Sequence, residues 1–229
     1  MEKQILEYCK KQGKEEAGGI IKAGFFTPLE NVATDKENFF EFELEDWQGV
    51  EAIVHSHPNS GPYLSPFDRV MQILTGVEWQ IVHDDGIHKY QCVPLLRGRE
   101  FIYVQSDCGT LVEDAFMLMG IDLGRAKRSD MQSDADKGVI IKRLKRIGFS
   151  QVEELQPGDV IVTSSQEEGN HLLLFIDDSN VLHHAFNQLS KRISYNYILM
   201  QKTHSIWRHK DFKPEMIQAV MNDMEASNI

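Results

Sequence analysis

The chain is short of cysteine, of positive charge and of long apolar runs, and each shortage removes a class of protein. Only Cys9, Cys92 and Cys108 occur in 229 residues. An odd number without a Cys-x-x-Cys pair argues against a disulfide-stapled fold and leaves room for a free thiol with its own chemistry. Lys and Arg number 24 against 35 Asp and Glu, a net charge of −11. That is the reverse of the basic footprint nucleic acid requires, and it also disfavours adhesion to anionic lipid. No apolar stretch approaches the ~20 residues of a membrane span. Met1-Glu2-Lys3-Gln4 does not open a basic-then-apolar leader. These absences predict a soluble chain made in the cytoplasm, with no membrane span and no nucleic-acid partner. What remains is an ordinary globular mixture, 41% apolar and 26% charged, long enough for one large domain or two of roughly 100–130 residues.

Periodicity divides the chain into an α/β half and a half that is helical first and β afterwards. In the first half, Ile5–Gln12 reads as a short amphipathic helix, Gly19–Phe26 as a strand closed by Pro28, and Glu37–Leu44 as a half-buried strand. Val50–His57 reads as a further strand. Ser65-Pro66-Phe67-Asp68 opens a helix running to about Thr75, with Gly76 as its stop. Trp79–His83 and His88–Val93 follow as strands joined by a turn at Asp84-Asp85-Gly86. In the second half, Cys108–Met119 is an amphipathic helix ended by Gly120, and a second helix is expected over 135–147. Strands are expected at Asp159–Thr163, His171–Ile176, Val181–Phe186 and Ile193–Leu199. Pro214–Ala226 reads as a last helix or a mobile tail. The expected fold class is therefore α+β in two domains, 1–94 and 95–213, with 214–229 as a tail or docking helix.

The densest chemistry of the first half lies between His55 and Asp68. Side chains alternate along a strand, so His55 and His57 point to one face while Ser56 points away. Two imidazoles from one strand and the Asp68 carboxylate from the next helix make an open zinc arrangement of three protein ligands. A nearby carboxylate then completes the set by shuttling a proton. Ser65 to Asp68 is also an ordinary helix start, with a serine cap, proline and an acid three residues on. The two readings are compatible, because the cap positions the ligand. The full spacing, His-x-His, seven residues, Ser, two residues, Asp, resembles the JAMM (MPN-plus) metalloprotease motif. That family also carries an earlier Glu-x-Cys-Gly pattern. Glu16-Ala17-Gly18-Gly19 matches it except at Gly18, where cysteine is common. The resemblance implies zinc held by His55, His57 and Asp68, with Glu16 as general acid/base and Ser65 as donor to the oxyanion. Strand parity alone also offers Glu51 as the proton shuttle.

The second half is organised by Cys108. A cysteine at a helix N-terminus has a thiolate stabilised by free amides and the helix dipole, and its own amide contributes to an oxyanion hole. It requires an imidazole oriented by a third group. Downstream candidates are His171, His183, His184, His204 and His209. His171 and His183, on neighbouring antiparallel strands, fall side by side. The plain alternative is a small buried residue on an apolar helix face. Asp107-Cys108-Gly109-Thr110, Pro157-Gly158-Asp159-Val160, Asn170-His171 and Leu182-His183 resemble the NlpC-type cysteine peptidases, papain-like enzymes that cleave peptidoglycan stem peptides, typically after D-glutamate. The resemblance implies Cys108 as nucleophile, His171 as base, His183 as orienter and His184 as a neighbour without a role. Arg97-Gly98-Arg99-Glu100-Phe101 stands where many members have a Tyr-Gly-Gly-rich segment, so pocket residues there do not carry over.

A JAMM-like half followed by an NlpC-like half resembles the tail assembly protein K family of siphophages across nearly the whole chain. Pro28-Leu29-Glu30-Asn31-Val32-Ala33 and Trp207-Arg208-His209 look like further family segments. The resemblance implies a tail-tip protein with two peptidase centres, partnered by peptidoglycan and other tail-tip proteins. Such a chain is made in the host cytoplasm, rides in the tail tip and reaches the host periplasm on entry. Two alternatives remain behind it, a structural assembly factor using peptidase folds as docking modules, which the intact ligand and triad sets argue against, and a maturation protease of a tail protein.

Overall fold

The computed structural model describes residues 1–126, 138–164 and 169–228. The chain forms two compact units, Met1–Val93 and Pro94–Ile229, each a mixed α/β assembly.

The first unit is a five-stranded mixed sheet. Helix α1 (Glu2–Lys11) precedes β1 (Gly18–Lys22), β2 (Phe25–Leu29), β3 (Val50–Ser56), helix α2 (Pro66–Thr75), β4 (Glu78–His83) and β5 (Gly86–Tyr90), in the sheet order β2-β1-β3-β4-β5. The apolar run from Gly19 to Phe26 is two strands rather than one. Ala23 and Gly24 both take positive φ, 51° and 74°, the geometry of a two-residue hairpin turn matched to strand twist. Apolar periodicity cannot register a turn whose flanking residues stay apolar. β3 and β4 run parallel, joined by the α2 crossover, and the other pairs are antiparallel.

Alternation sorts the side chains of this sheet onto two faces. Ile5 and Cys9 of α1 pack with Ile21, Phe26, Ala52, Val54 and Val82. On the other face Ile20, Ile53, Leu64, Trp79, Ile81 and Tyr90 form a second core, joined by Phe42 and Leu44. The segment 37–44 is thus not a strand: residues 37–38 lie in a turn and 39–44 join no ladder, with Phe40 buried and the acids exposed. Its alternating pattern reports a chain lying over an apolar face, which has the same period as a strand. α2 begins and ends as its sequence specifies, with Ser65 as N-cap and Gly76 as C-cap.

The second unit carries a six-stranded antiparallel sheet. Its elements are α3 (Cys108–Leu118), α4 (Val139–Arg146), β6 (Phe149–Val152), β7 (Val160–Ser164), β8 (Gly169–Asp177), β9 (Asn180–His183), β10 (Lys191–Ser194), α5 (Tyr197–Gln201), β11 (Thr203–His209) and α6 (Ile217–Ala226). The strand order is β10-β9-β8-β7-β11-β6, and α3 lies against β8. Of the second helix expected from the sequence, residues 135–137 lie outside the described residues. The strand expected over Ile193–Leu199 stops at Ser194. The Asn196 side chain then accepts from Ile198 N and Leu199 N, at 3.1 and 3.2 Å, and starts α5. An asparagine cap overrides the β-branched propensity around it.

The C-terminal segment belongs to this unit. After a 3-10 turn at Pro214–Met216, α6 touches α3 and β8, with Val220 and Asp223 wholly buried. Leu96 N donates to Asp223 Oδ2 at 2.8 Å, tying the ends of the unit together. No described helix is long and apolar enough to cross a membrane.

Candidate functional site

The first centre forms at the carboxyl end of β3, where the chain turns into α2. Ligand sites in sheets with parallel strands gather at such ends. His55 and His57 are both buried, and their Nε2 atoms lie 3.0 Å apart. Asp68 reaches each ring, Oδ1 to His55 Nε2 and Oδ2 to His57 Nε2, both at 3.3 Å. Two atoms each ~2.0–2.1 Å from one tetrahedral ion sit about 3.3 Å apart. The donor set of two imidazole nitrogens and a carboxylate therefore fits zinc in chemistry and in spacing. His57 Nδ1 donates to Gly61 O at 2.9 Å, the tautomer that leaves Nε2 free to coordinate. Phe40 stacks on the His55 ring at 5.7 Å and Trp79 meets it edge-on at 5.5 Å, so the His55 ring is held in an apolar wall.

Ser65 holds Asp68 in place by a reciprocal cap. Its Oγ accepts from Asp68 N at 3.1 Å, and Ser65 N donates to Asp68 Oδ2 at 2.8 Å. Burial opposes ionisation of Asp68, but the charges and hydrogen bonds of His55 and His57 outweigh it and hold the carboxyl well below its usual range. Burial pulls His55 down; at His57 the same effect is overcome by Asp68, and the ring is raised.

Glu16 joins this group from the other side of the sheet's register. Gly18 pairs with His55, so the residues before β1 run past the end of β3. Glu16 is buried, and its carboxylate lies within 4.8 Å of the His55 and His57 ligand atoms. Burial pushes its carboxyl up to about 7, with Asp68 adding to the rise and His57 opposing it. Glu51, the other acid offered by parity, is exposed at the far end of β3 and accepts from Gly24 N at 3.3 Å. Asn31, unremarked for any role in the sequence, anchors the Glu16 backbone. Its Nδ2 donates to Glu16 O and to Phe39 O, both at 2.8 Å, while Oδ1 accepts from Ala33 N and Glu41 N. Gly18 has a steric reason: a Cβ there would come to 2.0 Å from the Val54 carbonyl oxygen.

The second centre gathers at the start of α3. Asp107 caps the helix, accepting from Gly109 N and Thr110 N at 2.9 and 3.1 Å through Oδ1, while its N donates to Thr110 Oγ1 at 2.8 Å. Asp107 Oδ2 also accepts from Val104 N at 3.0 Å, where Val104 is held at φ 72°. A β-branched residue in that region is strained, and the loop that strains it delivers Cys108 to the first position of α3, partly exposed.

His171 on β8 and His183 on β9 are diagonal neighbours on one face, since Leu173 is the residue directly opposite His183. Their rings meet edge to face at 4.9 Å. Burial depresses His171 to about 4, reinforced by His183 and His184; Asp107 is near enough to oppose the shift, which sets the start of α3 beside this ring. His183 is also lowered, chiefly by burial. His171 Nε2 and His183 Nδ1 are buried without a hydrogen-bond partner among the described residues. His184 is wholly buried, its ring 5.3 Å from Phe101. His209 packs between Phe116 and Phe149 and its Nε2 donates to Ile147 O at 2.9 Å, a structural role. His204 lies on β11 with Nδ1 2.9 Å from Ser205 Oγ. Arg99, from the segment where the peptidase resemblance fails, is buried and pairs with Asp114 at 2.6 Å. With Thr110, Glu113, Asp114 and Arg125 it lines a cavity of about 310 Å³ beside α3.

The chain is thus a two-unit α/β protein, and residues 97–208, in the second unit, match the NlpC/P60 family. The chain is also 36% identical over 193 residues to the tail tip assembly protein K of Escherichia phage lambda, covering 80% of this chain and 97% of that protein. It is 27% identical over 229 residues to the tail tip assembly protein K of Escherichia phage N15, covering 91% of this chain and 94% of that one. The chain belongs to the tail tip assembly protein K family.

Proposed function

We propose that the chain is a tail-tip peptidase with two hydrolytic centres. The cysteine centre cuts peptidoglycan stem peptides during cell entry, and the metal centre hydrolyses an amide or isopeptide bond. The single observation that supports the reading is the start of α3: Cys108 takes its first position, its cap Asp107 acts on the charge of His171, and His171 packs on His183, all inside the region matched to the NlpC/P60 family. The relatives' name, tail tip assembly, supports a place in the tail among other tail-tip proteins. Carriage in the tail takes the chain from the host cytoplasm to the periplasm.

At the cysteine centre, His171 is neutral at neutral pH and accepts the thiol proton. The sulfur attacks the scissile carbonyl, and the amide N–H groups at the start of α3 stabilise the oxyanion. His171 then returns the proton to the leaving amine. His183 fixes the ring that does this. Water releases the acyl group in a second cycle.

At the other centre, His55, His57 and Asp68 would hold zinc, which supplies Lewis acidity to polarise a carbonyl and acidify water. Glu16 moves the proton, having a carboxyl poised near neutrality. Ser65 Oγ, already accepting from Asp68 N, keeps its hydroxyl proton for the developing oxyanion.

The test of the cysteine assignment is a synthetic stem peptide containing a D-glutamate linkage, incubated with the full chain and analysed by mass spectrometry. Cleavage by wild type that disappears in Cys108→Ala supports the reading. Equal cleavage by both chains overturns it.

A further inference from the structure

The β4–β5 hairpin carries a second group of metal-binding side chains, and no part of the proposed chemistry uses it. His83 ends β4, Asp85 sits in the turn and His88 lies on β5. The ladder pairs Ile81 with His88 and His83 with Gly86. Cross-strand partners share a face, so both imidazoles rise from the same side of the sheet. Their ring centroids are 6.4 Å apart. Asp85 Oδ1 lies between them, 3.1 Å from His83 Nδ1 and 2.8 Å from His88 Nε2. All three ligand atoms fall within 4.8 Å of one another.

We propose that His83, Asp85 and His88 form a second site, open to solvent, for a divalent transition-metal ion of the zinc, cobalt or nickel class. Three features of the geometry favour this over a hairpin merely latched by hydrogen bonds. The latch uses one N–H from each ring to a single carboxylate oxygen, so an ion replacing those two protons keeps all three donors without moving the backbone. The 2.8 and 3.1 Å spacings are close to those of neighbouring ligand atoms around an ion bound at ~2.0–2.2 Å. The side chains remain about 27, 28 and 66% exposed, which leaves coordination positions for water or a ligand carboxylate. Two imidazoles and one carboxylate select borderline transition metals over calcium or magnesium, which take mostly oxygen. The location adds interest. His55 pairs with Ile81 and Ile81 with His88, so this group shares its sheet face with the first centre, and His83 and His57 both lie at the carboxyl end of the parallel pair.

The site is tested on the full chain, stripped with chelator and dialysed against Co2+ or Zn2+, with bound metal measured by elemental analysis. His57→Ala removes a ligand of the first centre and isolates the hairpin. That variant is expected to retain an ion whose affinity falls by about tenfold or more in His57→Ala/His88→Ala and His57→Ala/Asp85→Asn. Co2+ is also expected to shift and broaden the His83 and His88 ring resonances. Equal binding by the His57→Ala chain and its His88→Ala derivative, or unmoved ring resonances, overturns the proposal. Wild type and His57→Ala binding the same amount of metal would instead count against the first centre and leave the hairpin result readable.

Discussion

Burial acts on Glu16 and His171 by one physical cause and moves them in opposite directions. A desolvated carboxyl resists losing its proton and a desolvated imidazole resists gaining one. Glu16 is thereby raised to about 7 and His171 lowered to about 4. For His171 the consequence is measurable as stability. The unfolded chain takes the proton near 6.5 and the folded chain only near 4, so the unfolded state binds more protons between those values. Stability conferred by the neutral ring is complete above that window and is lost as pH falls through it. Amide protection in β7 and β8, measured as the exchange rate relative to the intrinsic rate at each pH, is expected to fall as pH is lowered from 6.5 to 4, with a flatter profile in His171→Asn. Identical profiles would contradict the assignment. For Glu16, replacement by Gln is expected to leave bound zinc in place while lowering hydrolysis at that centre by about 10²–10⁴-fold, the range of general acid–base catalysis. Metal content and turnover measured on the same sample separate a lost proton carrier from a lost ion.

Elements differ in how much of themselves their own sequence discloses. The parity of His55 and His57 and the Ser65–Asp68 cap are local, with periods of two and three residues, and both are legible. Glu16 beside His55 depends on β1–β3 register and is legible only through its resemblance to the Glu-x-Cys-Gly pattern, since parity alone offers Glu51 as well; Asn31 holding the Glu16 backbone depends on a loop returning across the sheet and has no local signal. Glu37–Leu44 misleads because lying on an apolar face and pairing in a ladder give the same alternation. The Asn196 cap was a local signal for α5 that β-branched neighbours obscured. The cap on α2 makes a clear case for mutation. Ser65→Ala is expected to cost about 1 kcal/mol of stability and, by loosening Asp68, about 10–100-fold in zinc affinity. Gly18→Cys restores the residue common in the resembling metalloprotease pattern, yet its Cβ would crowd the Val54 carbonyl at 2.0 Å. Overpacking of this kind is expected to lower stability by ~1–3 kcal/mol, read as a lower denaturation midpoint; an unchanged midpoint would show that the strands yield.

At the scale of the whole molecule, each unit closes its own core and carries its own centre. The second unit includes the C-terminal helix, so deleting residues 214–229 removes Val220 and Asp223 from its interior and leaves Leu96 N without its acceptor. An orphaned buried amide alone costs ~1–3 kcal/mol, and the truncated chain is expected to expose the second unit to protease. Separate centres also predict separable losses, and that is the most direct test of the account. Purified peptidoglycan is incubated with wild type, Cys108→Ala and His57→Ala, and zinc per chain is measured on the same preparations. Cys108→Ala is expected to stop wall digestion with its zinc content unchanged, and His57→Ala to bind one zinc fewer per chain than wild type and keep digesting. Wall digestion that survives Cys108→Ala, or zinc content in His57→Ala equal to that of wild type, would contradict it.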